Sequence, residues 1–168
     1  VCNALDTILI HEKQIKKILP KLVSKLTENN VEVRLHSKIL NNAKENNSSN
    51  LIKLAKKDDW GREFLDLKIS IKSVKSVEEA ISHIDKFSFG HTDGIISKID
   101  KNINKFVQSV NSSAVTVNAS TRFNDGGEIG LGSEIAISTT KVSPRGPLGL
   151  EEITTYKWVI EGNGHIRN

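Results

Sequence analysis

An α/β fold on a largely parallel sheet is what this 168-residue sequence predicts, and two observations predict it. Apolar residues recur with the helical period in some stretches and with the strand period in others. These two textures take turns along the chain as far as Val117, the order in which helices carry one parallel strand to the next. Beyond Val117 the texture changes again. Most of the 11 glycines and all prolines except Pro20 lie there, in a segment too glycine-rich for a core and too apolar for a disordered tail. Loops of this kind on a rigid scaffold are where ligands are often met, although glycines that merely serve tight turns give the same composition.

The elements follow in order. Ile15, Ile18, Leu19, Leu22, Val23 and Leu26 form one helical stripe, in which Pro20 is expected to kink the helix or delay its regular part. "VEVRLH" alternates Val31, Val33 and Leu35 with Glu32 and Arg34, a half-buried strand. Residues 41–50, "NNAKENNSSN", have no apolar period and are expected to form a surface excursion. In "LDLKISIKSV", Leu67, Ile69 and Ile71 alternate again. Ser76 with Glu79 reads as a capping box opening a helix striped by Val77, Ala80, Ile81 and Ile84. "TDGIISK" suggests a short strand, Asp100 a cap for a helix bearing Ile103, Phe106, Val107 and Val110, and "SAVTV" a buried strand. The tail "ITTYKWVIEG" is β-branched, aromatic and alternating, as a strand would be.

Composition narrows the function classes. With 37% hydrophobic residues the chain can bury one sizeable core, and no apolar run approaches the ~20 residues of a membrane-spanning helix. A single cysteine forms no internal disulfide, which makes a reducing, cytoplasmic setting the expectation. The net charge of +4 comes from scattered lysines rather than a basic stripe with interleaved aromatics, so nucleic acid is not an expected partner. The histidines His11, His36, His83, His91 and His165 lack zinc-ligand spacing, and no metal is expected. "GGEIGLG" matches neither the dinucleotide fingerprint nor a phosphate loop.

Several stretches carry a specific resemblance. "VCNALDTILIH", "HTDGII", "VNASTRFNDGG", "GLGSEIAIST", "RGPLGLE" and "TTYKW", in this order, resemble the C-terminal part of the gamma-glutamyl phosphate reductases (glutamate-5-semialdehyde dehydrogenases) of the aldehyde dehydrogenase superfamily. The chain departs from the pattern at residues 41–50, Glu128 and Ser133. The resemblance also suggests why a chain without methionine opens on Val1, one residue before its only thiol: it reads as a piece of a longer protein, cut just upstream of the nucleophile and lacking an N-terminal cofactor domain.

The resemblance implies an aldehyde-dehydrogenase-like catalytic domain and the reduction of gamma-glutamyl phosphate by NADPH in proline biosynthesis. Cys2 is the implied nucleophile, suited to the role because a thiolate both attacks and leaves well. The plain alternative is a small buried apolar cysteine. A helix starting at Asn3 is expected to turn its positive end toward the thiol, with the Cys2 amide donating to the developing oxyanion. Asn118, Ser120, Thr121 and Arg122 are expected near the substrate, where a guanidinium suits a carboxylate or phosphate, unless Arg122 serves a structural ion pair. Glu63 is the candidate contact to the nicotinamide ribose. By the same resemblance, residues 1–120 form the catalytic domain, 121–150 a glycine-rich active-site segment, and 151–168 a strand that pairs with a neighbouring subunit in a homo-oligomer. A divergent aldehyde dehydrogenase using the same Cys2 and a non-catalytic assembly module remain the competing readings.

Overall fold

In a computed structural model describing residues 1–44, 47–142 and 144–167, strands and helices alternate as expected. Strand β1 (Thr7–His11) leads through a 3-10 turn into helix α1 (Ile15–Glu28), followed by β2 (Glu32–Leu35), α2 (Ser37–Lys44) and β3 (Ile52–Leu54). Then come β4 (Lys68–Val74), α3 (Val77–Phe87), β5 (Thr92–Ile95), α4 (Asp100–Ser109) and β6 (Ala114–Val117). The first four strands make one sheet in the order β1-β4-β2-β3, and β5 and β6 make a second. Every strand pair is parallel. The α/β class read from the sequence therefore holds, with helices flanking a parallel sheet.

The main core lies between the larger sheet and α1 and α2. Leu19 and Val23 of α1 and Val33, Leu35 and Ile71 of the sheet are wholly buried. A smaller cluster joins Ile81 of α3 to Phe106 and Val110 at α4. Ser76 caps α3 as its sequence suggests, accepting from the Glu79 amide at 3.3 Å. The Glu79 carboxylate answers one residue early, taking the Lys75 amide at 2.8 Å.

Several expectations need correction. Helix α1 starts at Ile15 and continues through Pro20 without delay, since burial of its apolar stripe outweighs one missing amide donor. Residues 41–44 are not loop but the end of α2, anchored by buried Ile39 and Ala43; residues 45–46 fall outside the described set, and 47–50 carry no regular structure beyond a turn. Strand β4 lies inside the sheet, so Ser70 is buried between its apolar neighbours while Leu67, before the strand, is 60% exposed. Asp100 is the first residue of α4 rather than its cap, which is Ile99. There it still complements the positive helix end. The "SAVTV" strand is half-buried, because a two-stranded sheet covers little. Within the chain, residues 153–162 form no strand, since a strand requires a backbone partner and no described residue offers the tail one.

The loop after β3 is tied back to the sheet by charge. Asp59 is 1% exposed and forms an ion pair with Arg34 Nη1, while Arg34 Nε reaches Glu32 at 2.7 Å. The second Asp59 oxygen accepts from the Lys56 amide at 2.7 Å. Next to this anchor, Trp60 meets His83 edge-on at 5.5 Å, and His83 meets Phe87 at a tilt, with ring centroids 4.6 Å apart.

Burial holds the His83 imidazole down to about 4, assisted by the positive charge of Lys72. As pH falls below 6.5 the unfolded chain takes up this proton and the folded chain does not, so stability declines until about pH 4. The slope from this one group is at most about 1.4 kcal/mol per pH unit. Urea unfolding at pH 7 and pH 4.5 should therefore show a smaller loss of stability in His83→Gln than in the wild type. Equal losses would clear His83 of the effect.

Candidate active site

The segment before β1 lies at the amino edge of the larger sheet. Residues 1–4 form a turn closed by the Ala4 amide and the Val1 carbonyl at 3.1 Å. No helix starts at Asn3, so the expected helix end behind the thiol is absent; the chain needs these residues to turn directly into β1. Cys2 rides on the turn and is exposed, unlike a core cysteine.

Asn3, by contrast, is 5% exposed and satisfies its polar groups across a sequence separation of about 120 residues. Its Nδ2 donates to the Asn124 carbonyl at 3.0 Å and to the Arg122 carbonyl at 3.4 Å. Its Oδ1 accepts from Arg122 Nη1, and its main-chain carbonyl from Thr121 Oγ1 at 2.7 Å. A buried carboxamide without such partners would cost about 1–3 kcal/mol, so these bonds fix where the later segment sits.

That segment is a short 3-10 turn, Thr121–Phe123, capped by Ser120, whose hydroxyl accepts from the Arg122 amide at 3.2 Å. The turn presents Arg122 to solvent, at the border of an open depression of about 300 Å³ lined also by Phe123, Asp125 and Glu128. Among the described residues no carboxylate forms an ion pair with Arg122. Among the glycines that follow, Gly126 serves close packing: a side chain there would strike the Ser133 carbonyl.

The structure thus gathers Cys2, Asn3, Ser120, Thr121 and Arg122, but not every candidate. Asn118 has a left-handed φ of 52° and is committed to Ser97, accepting from its amide and donating to its carbonyl, both at 2.9 Å. That clamp ends the β5–β6 sheet and gives Asn118 no bond toward Cys2. Glu63 is exposed on the loop before β4, at the same amino edge as Cys2. Its charge is felt by Asp6, whose carboxyl is pushed up by burial, pulled back by the Phe64 amide and raised again by the Glu63 charge. Sequence reading missed Asn124. Asn124 lies within the "VNASTRFNDGG" block, yet nothing in its type or spacing marks it as a buried connector.

Fold and site together define an α/β domain with an exposed thiol on one turn and, on the turn that Asn3 holds to it, a guanidinium that forms no ion pair among the described residues. Over its whole length the chain is homologous to gamma-glutamyl phosphate reductases. It is 48% identical over 167 residues to that of Clostridium botulinum, and 48% identical over 168 residues to that of Legionella pneumophila. The chain spans 39% of the length of the Clostridium protein and 40% of the Legionella one. The crystal structure of gamma-glutamyl phosphate reductase from Thermotoga maritima matches all of the chain and 39% of its own, with a TM-score of 0.87 at 47% identity. The corresponding structure from Saccharomyces cerevisiae matches 76% of this chain and 32% of its own, with a TM-score of 0.58 at 31% identity. No protein-family model matches the chain.

Because Asn3 satisfies the turn that carries Cys2 and the turn that carries Arg122, Asn3→Ala should loosen both. Unfolding should show a loss of about 1–3 kcal/mol. Amide exchange should accelerate at residues 121–125 more than in the β1-β4-β2-β3 sheet. A uniform change across the chain would show that Asn3 supports the fold generally and does not hold this site.

Proposed function

We propose that this chain is the thiol-bearing catalytic part of a gamma-glutamyl phosphate reductase, acting in proline biosynthesis as an NADPH-dependent oxidoreductase. One observation carries the reading. The lone cysteine is exposed on a turn pinned by buried Asn3 to the turn bearing Arg122. Whole-length identity of 48% to proteins of that name supports it.

In this reading the Cys2 thiolate attacks the carbonyl carbon of the acyl phosphate. The carbon–oxygen bond to phosphate breaks, phosphate departs with its electron pair, and a thioester remains on Cys2. The Cys2 amide and Arg122 are the donors offered to the developing negative charge and to the substrate's anionic groups. Reduction at the thioester carbon then expels the thiolate and releases glutamate 5-semialdehyde.

The nicotinamide, when bound, supplies the hydride for that reduction. The fit of this chain to a dinucleotide is partial: Glu63 is exposed and placed at the Cys2 edge of the sheet, but one carboxylate does not hold a cofactor. The remaining contacts belong, in this proposal, to a cofactor domain outside these 168 residues. Residues 1–120 are then the catalytic domain and 121–150 the active-site segment returning toward the cofactor. Residues 151–168 add a strand to a neighbouring subunit; the tail leaves Tyr156 79%, Trp158 83% and Ile160 92% exposed, surface that such pairing would cover.

In the intact protein Cys2→Ser should lower turnover by on the order of 10³-fold or more, because an alkoxide is scarce at neutral pH and leaves poorly. A trapped thioester should disappear with it. Turnover like the wild type's would remove Cys2 from the reaction.

Arg122→Ala should weaken kcat/KM for the acyl phosphate by roughly 10- to 150-fold, the worth of about 1.5–3 kcal/mol for one charge-assisted contact. Cofactor affinity should stay nearly unchanged. Loss of both together would mark Arg122 as a prop for the Asn3 clamp alone.

A further inference from the structure

The depression of about 300 Å³ beside Arg122 carries charge of both signs. Its lining is Arg122, Phe123, Asp125 and Glu128, four exposed residues on one short stretch of chain. Opposite charges that share a surface depression commonly close on each other. These do not: the guanidinium forms an ion pair with neither carboxylate.

The bonds these groups do make hold them in place and leave them free to bind. Arg122 uses Nη1 on Asn3 Oδ1 and keeps the other donors of its fork. Asp125 Oδ1 accepts from the amides of Gly127 and Glu128, at 2.9 and 3.3 Å, which shapes the loop. Its second oxygen has no partner among the described residues, and neither has the Glu128 carboxylate.

This pattern discriminates between ligands. A purely anionic molecule gains from the guanidinium but meets two like charges across the depression. A molecule with an ammonium and a carboxylate on one carbon satisfies both signs at once. The volume lies at the lower end of ligand sites, which run from about 300 Å³ upward, and suits a small metabolite.

We infer that this depression receives the ammonium and carboxylate of an α-amino acid, with Arg122 on the carboxylate and Asp125 and Glu128 on the ammonium, so that the two acidic residues set the preference for an amino-bearing substrate. This rests on the thiol reading proposed above and deepens it. Arg122 Nη1 is bonded to the side chain of Asn3, and Asn3 follows Cys2 at one Cα step of about 3.8 Å. Holding the amino-acid end at Arg122 leaves the acyl end of the same small molecule for the thiol.

The test uses the full-length protein, run in the oxidative direction with phosphate and NADP on two aldehydes. One is glutamate 5-semialdehyde; the other, 5-oxopentanoate, keeps the aldehyde and the carboxylate and lacks the ammonium. Rates are referred to the open aldehyde, because the amino-bearing one cyclises. The wild type should prefer the amino-bearing aldehyde in kcat/KM by roughly 10- to 150-fold, the range for a charge-assisted contact. Asp125→Asn combined with Glu128→Gln removes both charges yet keeps the acceptor that the loop amides need, and should bring the two aldehydes close to parity. Arg122→Ala should lower both and leave their ratio. Binding gives a readout that needs no turnover: L-glutamate should bind the wild type more tightly than glutarate, and the double variant should lose the difference. Parity in the wild type, or a preference that survives the double variant, overturns the inference. Failure of the thiol reading is separate: Cys2→Ser would then still oxidise both aldehydes, while L-glutamate remained distinguished from glutarate.

Discussion

Everything at the candidate site depends on one buried carboxamide. Asn3 has two donors and an acceptor to satisfy away from water, and its partners all lie between Thr121 and Asn124. Such a side chain tolerates little displacement, because every bond that opens leaves a desolvated polar group. The exposed residues beside it inherit this rigidity. Cys2 and Arg122 face solvent, yet each is attached to a turn whose other contacts are fixed from below. A thiol and a guanidinium can thus keep a constant relation through the carboxamide between them.

The two sheets reach this point differently. The larger one gains its order from α1 and α2 packed on strands whose inner residues are wholly buried. Beside the smaller, the buried apolar cluster among the described residues is Ile81, Phe106 and Val110. Polar ties compensate there: the reciprocal Asn118–Ser97 clamp at one end of β5, and the Asn124–Thr92 bond at the other. Arg145 adds bonds from the glycine-rich segment to the Gly90 and Asn111 carbonyls. The site straddles a well-packed unit and one held largely by hydrogen bonds.

How far this was legible from sequence differs by element. The stripes of α1, α3 and α4 and the alternation in β2 are strong signals, because burial of one face dictates residue type. Helix α2 and strand β1 escaped, the first because its few apolar positions sit among asparagines, the second because "TILIH" is too short for its period to stand out. Ser70 shows the limit of alternation: a strand in the middle of a sheet buries both faces, so a small polar residue can lie inside. At the site, Cys2 and Arg122 stood out in the sequence by residue type alone. The roles of Asn3 as clamp, of Asn118 as strand end and of Asn124 as connector were not, since all three are asparagines whose work is defined only by what folding brings near them.

Strand order has a consequence for how the molecule is made. β4 sits between β1 and β2, although it is synthesised after both. Emerging from the ribosome, β2 can pair with β3, but β1 has no partner among the described strands until residue 74 is available, and the hydroxyl, guanidinium and carbonyls that hold Asn3 come some fifty residues later still. The thiol is among the first side chains of this stretch to appear and among the last to be placed. During that interval it is an ordinary exposed cysteine, open to oxidation or to whatever disulfide partner it meets.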